Sequence, residues 1–85
     1  MNLRSLRIFR RIVTLGSLAQ ASRELNISPS AASRLISLLE SELNLTLFAR
    51  HKRRLELTEE GDRFYRETEH ILRGLDEMGA VSQDI

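Results

Sequence analysis

The strongest constraint on this chain is a pair of helix starts in quick succession. Ser17-Leu18-Ala19-Gln20 has the form of a capping box: the serine oxygen accepts an early helical N–H, and the glutamine reaches back to the serine N–H. Ser28-Pro29 then opens another helix, because serine caps orphan N–H groups and proline at the first helical position lacks only an N–H that had no intrahelical partner. The helix between these starts carries Leu18, Ala21 and Leu25 inward and ends near Asn26, so it is too short to be stable unless packed. Small Ala19, Ala21 and Ser22 permit that packing at close range. A cap, a proline and a new start cannot share one axis, so the two helices cross as a helix-turn-helix, the second running from Pro29 to about Leu43.

The flanking segments supply what such a motif leans on. From Leu3 to Leu15 the apolar residues Leu3, Leu6, Phe9 and Val13 recur at three and four, the spacing of one helix face, with Arg4, Arg7 and Arg11 on a neighbouring, solvated face and Gly16 as a left-handed cap. After Asn44, Leu47-Phe48-Ala49-Arg50 and Leu55-Glu56-Leu57 flank the basic tip His51-Lys52-Arg53-Arg54, which predicts a small hairpin. Thr58-Glu59-Glu60 sets a cap and two acids at the positive end of a helix dipole and opens a long helix to about Met78. Along it Phe64, Thr68, Ile71, Leu75 and Met78 follow the spacing of a coiled-coil seam, with Tyr65 and Leu72 beside it. Gly74 and Gly79 each cost about 1 kcal/mol of helix stability, so the segment is expected to rely on a partner.

Length and composition bound the rest. With 85 residues, no cysteine and one proline, the chain is a single small domain that builds its core without disulfides, which fits a reducing cytoplasm. No apolar run approaches the roughly 18 residues of a membrane span, and no export signal opens the chain. The net charge of +1 hides an asymmetry: residues 1–54 hold ten Lys/Arg against Glu24, Glu40 and Glu42, a net of +7, whereas residues 55–85 hold three arginines against nine acids, a net of −6. A one-sided positive field suits a polyanion. Catalysis has little support, since His51 and His70 lie on different elements and neither a glycine-rich phosphate loop nor metal-ligand spacing occurs.

At 100° per residue the Pro29–Leu43 helix places Ser30, Ser33, Arg34 and Ser37 on one face and Ala32, Ile36, Leu39 and Leu43 on the other. Short hydroxyls beside one arginine let a backbone approach the major groove closely, and Arg34 is the candidate for a guanine. Arg50, Lys52, Arg53 and Arg54 form a hairpin cluster able to grip backbone or enter a minor groove, and Ser17 and Gln20 can present to a phosphate in addition to capping. Two other readings stay open: a protein-interaction module working through the Phe64–Met78 stripe, and a membrane-surface binder working through the first helix.

In order along the chain, Asn2-Leu3-Arg4-Ser5-Leu6 through Phe9, Gly16-Ser17-Leu18, Ala21-Ser22, Leu25, Ser33-Arg34, Ile36, Leu39-Glu40, Leu43, Leu47-Phe48, Arg50 and Leu57-Thr58-Glu59-Glu60-Gly61 make a pattern that resembles the N-terminal domain of LysR-type transcriptional regulators. The resemblance implies a mainly α fold: a winged helix-turn-helix of three helices and a two-stranded β wing over residues 1–58, with the helix-turn-helix at about 18–37 and the wing at about 46–57. A linker helix for dimerisation over 59–85 would follow, pairing antiparallel across a dimer.

It further implies double-stranded DNA as the partner, transcriptional control in a bacterial cytoplasm, and recognition roles for Ser28, Ser33, Arg34 and Arg53. The expected DNA-facing set is Ser17, Gln20, Ser28, Pro29, Ser30, Ser33, Arg34, Ser37, Arg50, Lys52, Arg53 and Arg54. The expected dimerisation set is Phe64, Tyr65, Thr68, Ile71, Leu72, Leu75 and Met78. No cofactor is expected in this chain. Members of the family carry a larger C-terminal domain for a small-molecule inducer, which nothing after Ile85 supplies, and RNA polymerase is a possible contact of the full-length protein. Two departures bear on specificity: the family's glutamine after the helix-opening serine is missing, Pro29 standing there with Ser30 behind it, and Leu35 and Leu38 stand where the family places polar or basic residues.

Overall fold

The computed structural model describes residues 2–51 and 54–79. Its elements are α1 (Leu3–Leu15), α2 (Leu18–Glu24), α3 (Pro29–Leu43), β1 (Phe48–His51), β2 (Arg54–Leu57) and α4 (Glu59–Glu77). This is the mainly helical, winged arrangement that the sequence predicts. Each helix begins where a short polar side chain takes an orphan N–H. Asn2 Oδ1 accepts from Ser5 at 2.9 Å, Ser17 Oγ from Gln20 at 3.1 Å, Ser28 Oγ from Ala31 at 3.1 Å, and Thr58 Oγ1 from Gly61 at 2.9 Å. The capping box of α2 is half made: the Gln20 side chain is exposed and has no hydrogen-bond partner among the described residues.

The turn between α2 and α3 is made by Asn26, in the left-handed region at φ 59°, with Ile27 N donating to Ser22 O at 3.0 Å. Asparagine tolerates that conformation, and it redirects the chain within two residues. Ser22 is buried and its hydroxyl donates to Leu18 O at 2.6 Å, so α2 meets its neighbours through a small, internally satisfied residue. Asn44 ends α3 in the same way, at φ 56°, with Leu45 N donating to Glu40 O at 3.1 Å.

Phe9 is the centre of the core. Fully buried, it meets Phe48 of β1 at 5.5 Å, Phe64 of α4 at 5.4 Å and Tyr65 of α4 at 6.2 Å between ring centroids. Ile8, Ile12, Ala21, Ala32, Ile36, Leu39 and Leu47 fill the space around it. The buried face of α1 is therefore wider than the Leu3, Leu6, Phe9, Val13 stripe: Ile8 and Ile12 are inside, whereas Leu3 and Val13 are only partly covered. The reason is that α1 is covered on two sides, by α2 and α3 on one and by α4 on the other.

Two further expectations are corrected. The hairpin tip is narrower than the tetrad His51–Arg54, because His51 and Arg54 pair as strand residues in the register Phe48↔Leu57, Ala49↔Glu56, Arg50↔Leu55, His51↔Arg54. On α4 the single seam divides. Thr68 and Leu72 are buried within this chain, 2% and 8% exposed, and Phe64, Tyr65 and Leu75 are partly buried against the same core. Thr68 and Leu72 are thus intramolecular residues and not part of an open seam. Only Ile71 and Met78 of that set stand out, 55% and 79% exposed.

Candidate nucleic-acid interface

On α3 the core side, with Ala32, Ile36 and Leu39 buried and Leu43 partly so, fixes which way the opposite side points. Ser30, Arg34 and Ser37 are exposed together. Ser33 is half-buried, and Arg50 Nη2 of β1 reaches across to donate to its Oγ at 3.4 Å. A bridge from the wing to this helix is not visible from spacing alone. Arg34 has no carboxylate partner among the described residues, which leaves its planar fork of donors available.

The first carboxylate to follow on this helix is turned away from the exposed face. Glu40 Oε2 accepts from Leu47 N at 2.7 Å and from Phe48 N at 3.2 Å, so its charge is committed to the backbone entering β1. Nothing in the spacing marks this role, because a glutamate seven and eight residues before two buried apolar positions has no local signature of such a contact.

The remaining expected residues divide into three groups. Ser17, Pro29, Arg50 and Arg54 border one open groove between the α1–α2 turn, the start of α3 and the wing, with Ile12, Leu18 and Phe48 also lining it. Ser28 and Gln20 are exposed near the starts of α3 and α2, Ser28 with its hydroxyl used as a cap. Lys52 and Arg53 lie outside the described residues.

The basic half is less uniformly available than its net charge suggests. Arg11 pairs with Glu24 at 2.6 Å and Arg7 with Asp76 at 3.7 Å. Arg10 lies 4.4 Å from the Tyr65 ring centroid, donates to Tyr65 O at 3.1 Å, and pairs with Glu69 at 3.8 Å. These arginines tie α1 to α2 and α4, so the Arg7 and Arg11 side chains are engaged and not simply solvated. Among the described residues the exposed arginines without a carboxylate partner are Arg4 on α1, Arg23 on α2, Arg34 on α3, Arg50 and Arg54 on the wing, and Arg63 on α4, so α3 and the wing hold three of the six.

Residues 3–62 match the family described as bacterial regulatory helix-turn-helix protein, lysR family. The HTH-type transcriptional regulator CzcR of Bacillus anthracis is 40% identical over 84 residues, which are 99% of this chain and 29% of that protein. The chain thus spans under a third of the length of the curated relatives it matches. Among solved structures, the BenM DNA-binding domain in complex with benA site 1 DNA is similar at a TM-score of 0.87 and 35% identity, covering 98% of this chain and 93% of that one. The CbnR DNA-binding domain in complex with DNA is similar at 0.86 and 30% identity, covering 98% and 95%. By sequence and by fold alike, the chain belongs to the LysR family of bacterial regulatory helix-turn-helix proteins.

Proposed function

We propose that this chain reads double-stranded DNA as the N-terminal domain of a transcriptional regulator, with α3 in the major groove and the wing on backbone or minor groove. The observation that carries the reading is the outer face of α3. Ser30, Ser33, Arg34 and Ser37 stand together there, the nearby Glu40 is folded away, and Arg50 ties the wing to the same face. Short side chains let the helix approach the groove floor, and an unpaired arginine supplies the bidentate donor pair that matches guanine. The relatives BenM and CbnR, whose DNA-binding domains share this fold, are solved on DNA, which supports the reading.

Arg54 with Lys52 and Arg53 would hold phosphates or the minor groove beside the wing, and Ser17 and Gln20 a phosphate near the start of α2. A homodimer through α4 would set two copies of α3 in successive major grooves, about 34 Å apart on an inverted repeat. The chain works by binding and not by catalysis, and uses no cofactor. An inducer and contacts with RNA polymerase would belong to the further length that the relatives have. No helix among the described residues is long and apolar enough to cross a membrane, and the site of action would be the bacterial cytoplasm.

Selection of bound duplexes from random DNA, followed by titration at several salt concentrations, tests this. Affinity should fall with a log-log slope of about −0.9 per phosphate neutralised. Arg34→Ala should relax base choice at one position of each half-site, a loss of about 1–3 kcal/mol of discrimination, and Arg34→Lys should not restore it because lysine lacks the planar fork. Failure to enrich any sequence, or an affinity indifferent to salt, would overturn the proposal.

A further inference from the structure

The reading face of α3 borders one side chain that neither its hydroxyls nor its arginine explain. Leu38 is 54% exposed, a large hydrophobic side chain standing in solvent, and the others that do so among the described residues, Ile71 and Met78, belong to α4 and its end. It is four residues after Arg34, hence roughly 40° around the helix from it and about 6 Å further along the axis. Ser37 and Ser41 beside it are short and exposed, and Glu42, one turn beyond Leu38 in the direction away from Arg34, is exposed as well. Leu38 therefore projects beyond the two serines, between Arg34 and Glu42, and a groove that receives Arg34 at a base edge would have Leu38 as the next side chain along the helix.

In water an isolated leucine there gains nothing. Against a major groove it has one apolar partner, since among the groups that the four base pairs display on that side only the C5-methyl of thymine is a hydrocarbon. Cytosine and adenine present amino donors, and guanine presents acceptors, all of which a leucine would desolvate without a hydrogen bond in return.

We propose that Leu38 is a specificity-determining residue that selects thymine through its methyl group, within about two base-pair steps of the position addressed by Arg34. This rests on the DNA-reading function above, with α3 as the helix in the groove.

The test uses the whole chain on a duplex obtained by selection from random DNA. Each thymine is replaced in turn by deoxyuridine, which removes the methyl and leaves every hydrogen-bonding group in place. One position per half-site should lose about fourfold in affinity, the effect of one buried methyl-sized group. Leu38→Ser should bind the thymine duplex more weakly and show no response to deoxyuridine at that position. Leu38→Met, which keeps length and apolar character, should retain the response. Because the deoxyuridine scan is read first on the unaltered chain, it stands independently of how any variant folds. A flat scan, or a Leu38→Ser variant as sensitive as the unaltered chain, overturns the assignment of Leu38 while leaving the DNA-reading function intact. If selection enriches no sequence at all, both fall together.

Discussion

Single side chains in this fold are constrained most tightly where α4 crosses the segment before β1. A Cβ built on Gly61 would lie 2.3 Å from Leu47 O and 2.8 Å from Leu57 Cδ1. The leucine tip can swing aside, but the carbonyl is held, because it accepts from Thr58 N at 3.0 Å, while the single Thr58 hydroxyl proton goes to the closer Thr46 O next to it. Gly61 is thus required by closeness of approach, and the ordinary gain in helix propensity from alanine is outweighed. Gly61→Ala is expected to lower stability by about 1–3 kcal/mol in urea denaturation, the usual cost of overpacking. Gly74 provides the contrast: nothing lies within 4 Å of its added Cβ, so alanine there should raise stability by about 1 kcal/mol. Equal gains at both sites would show that the Leu47 segment shifts freely and that the contact places no demand on residue 61.

Between elements, the wing depends on α3 more than on itself, because two paired strands of four residues are marginal alone. Glu40 supplies the tie by accepting the N–H groups of Leu47 and Phe48, both buried. Glu40→Ala leaves those donors without their acceptor and should cost about 2 kcal/mol, with amide exchange at Leu47 and Phe48 accelerating before the rest of the chain. Glu40→Gln keeps an acceptor oxygen and should be milder; an alanine variant with unchanged exchange at those amides would remove Glu40 from this role. The difference between Glu40 and Ser28 also explains what the sequence made legible. Helix starts are local events, so Ser17, Ser28 and Thr58 marked theirs, and the outward set Ser30, Arg34, Ser37 followed from the period of one helix. What covers a face is not local. Periodicity identified apolar stripes on α1 and α4 but could not tell that α1 lies between two layers, burying Ile8 and Ile12, or that Arg50 would reach Ser33. Nor could charge counting tell that Arg7, Arg10 and Arg11 turn toward Asp76, Glu69 and Glu24.

For the molecule as a whole, the consequence lies in how α4 divides between its own core and the homodimer seam proposed for it. Its inner stripe of Gly61, Tyr65, Thr68 and Leu72 faces the core, held by the Phe9–Tyr65 contact and by Arg10, which donates to Tyr65 O and to Thr68 Oγ1 at 3.4 Å. Ile71 and Met78 form an outer edge beside it, with Leu75 partly buried between the two, and this edge is most exposed at its C-terminal end. A helix with both stripes is fixed by the first and remains free to pair through the second, so folding and association are expected to separate by mutation. Ile71→Asp should leave the thermal midpoint of the dilute chain nearly unchanged and weaken self-association, measured by sedimentation equilibrium, by about tenfold or more, since it puts a charge where pairing would bury an isoleucine. Leu72→Asp, one residue away but inside, should instead unfold the chain. On DNA, Ile71→Asp should bind a single half-site as the unaltered chain does and lose the advantage of an inverted repeat. If its self-association is unchanged, the exposed stripe is not the dimer seam, and pairing must use another surface of the fold.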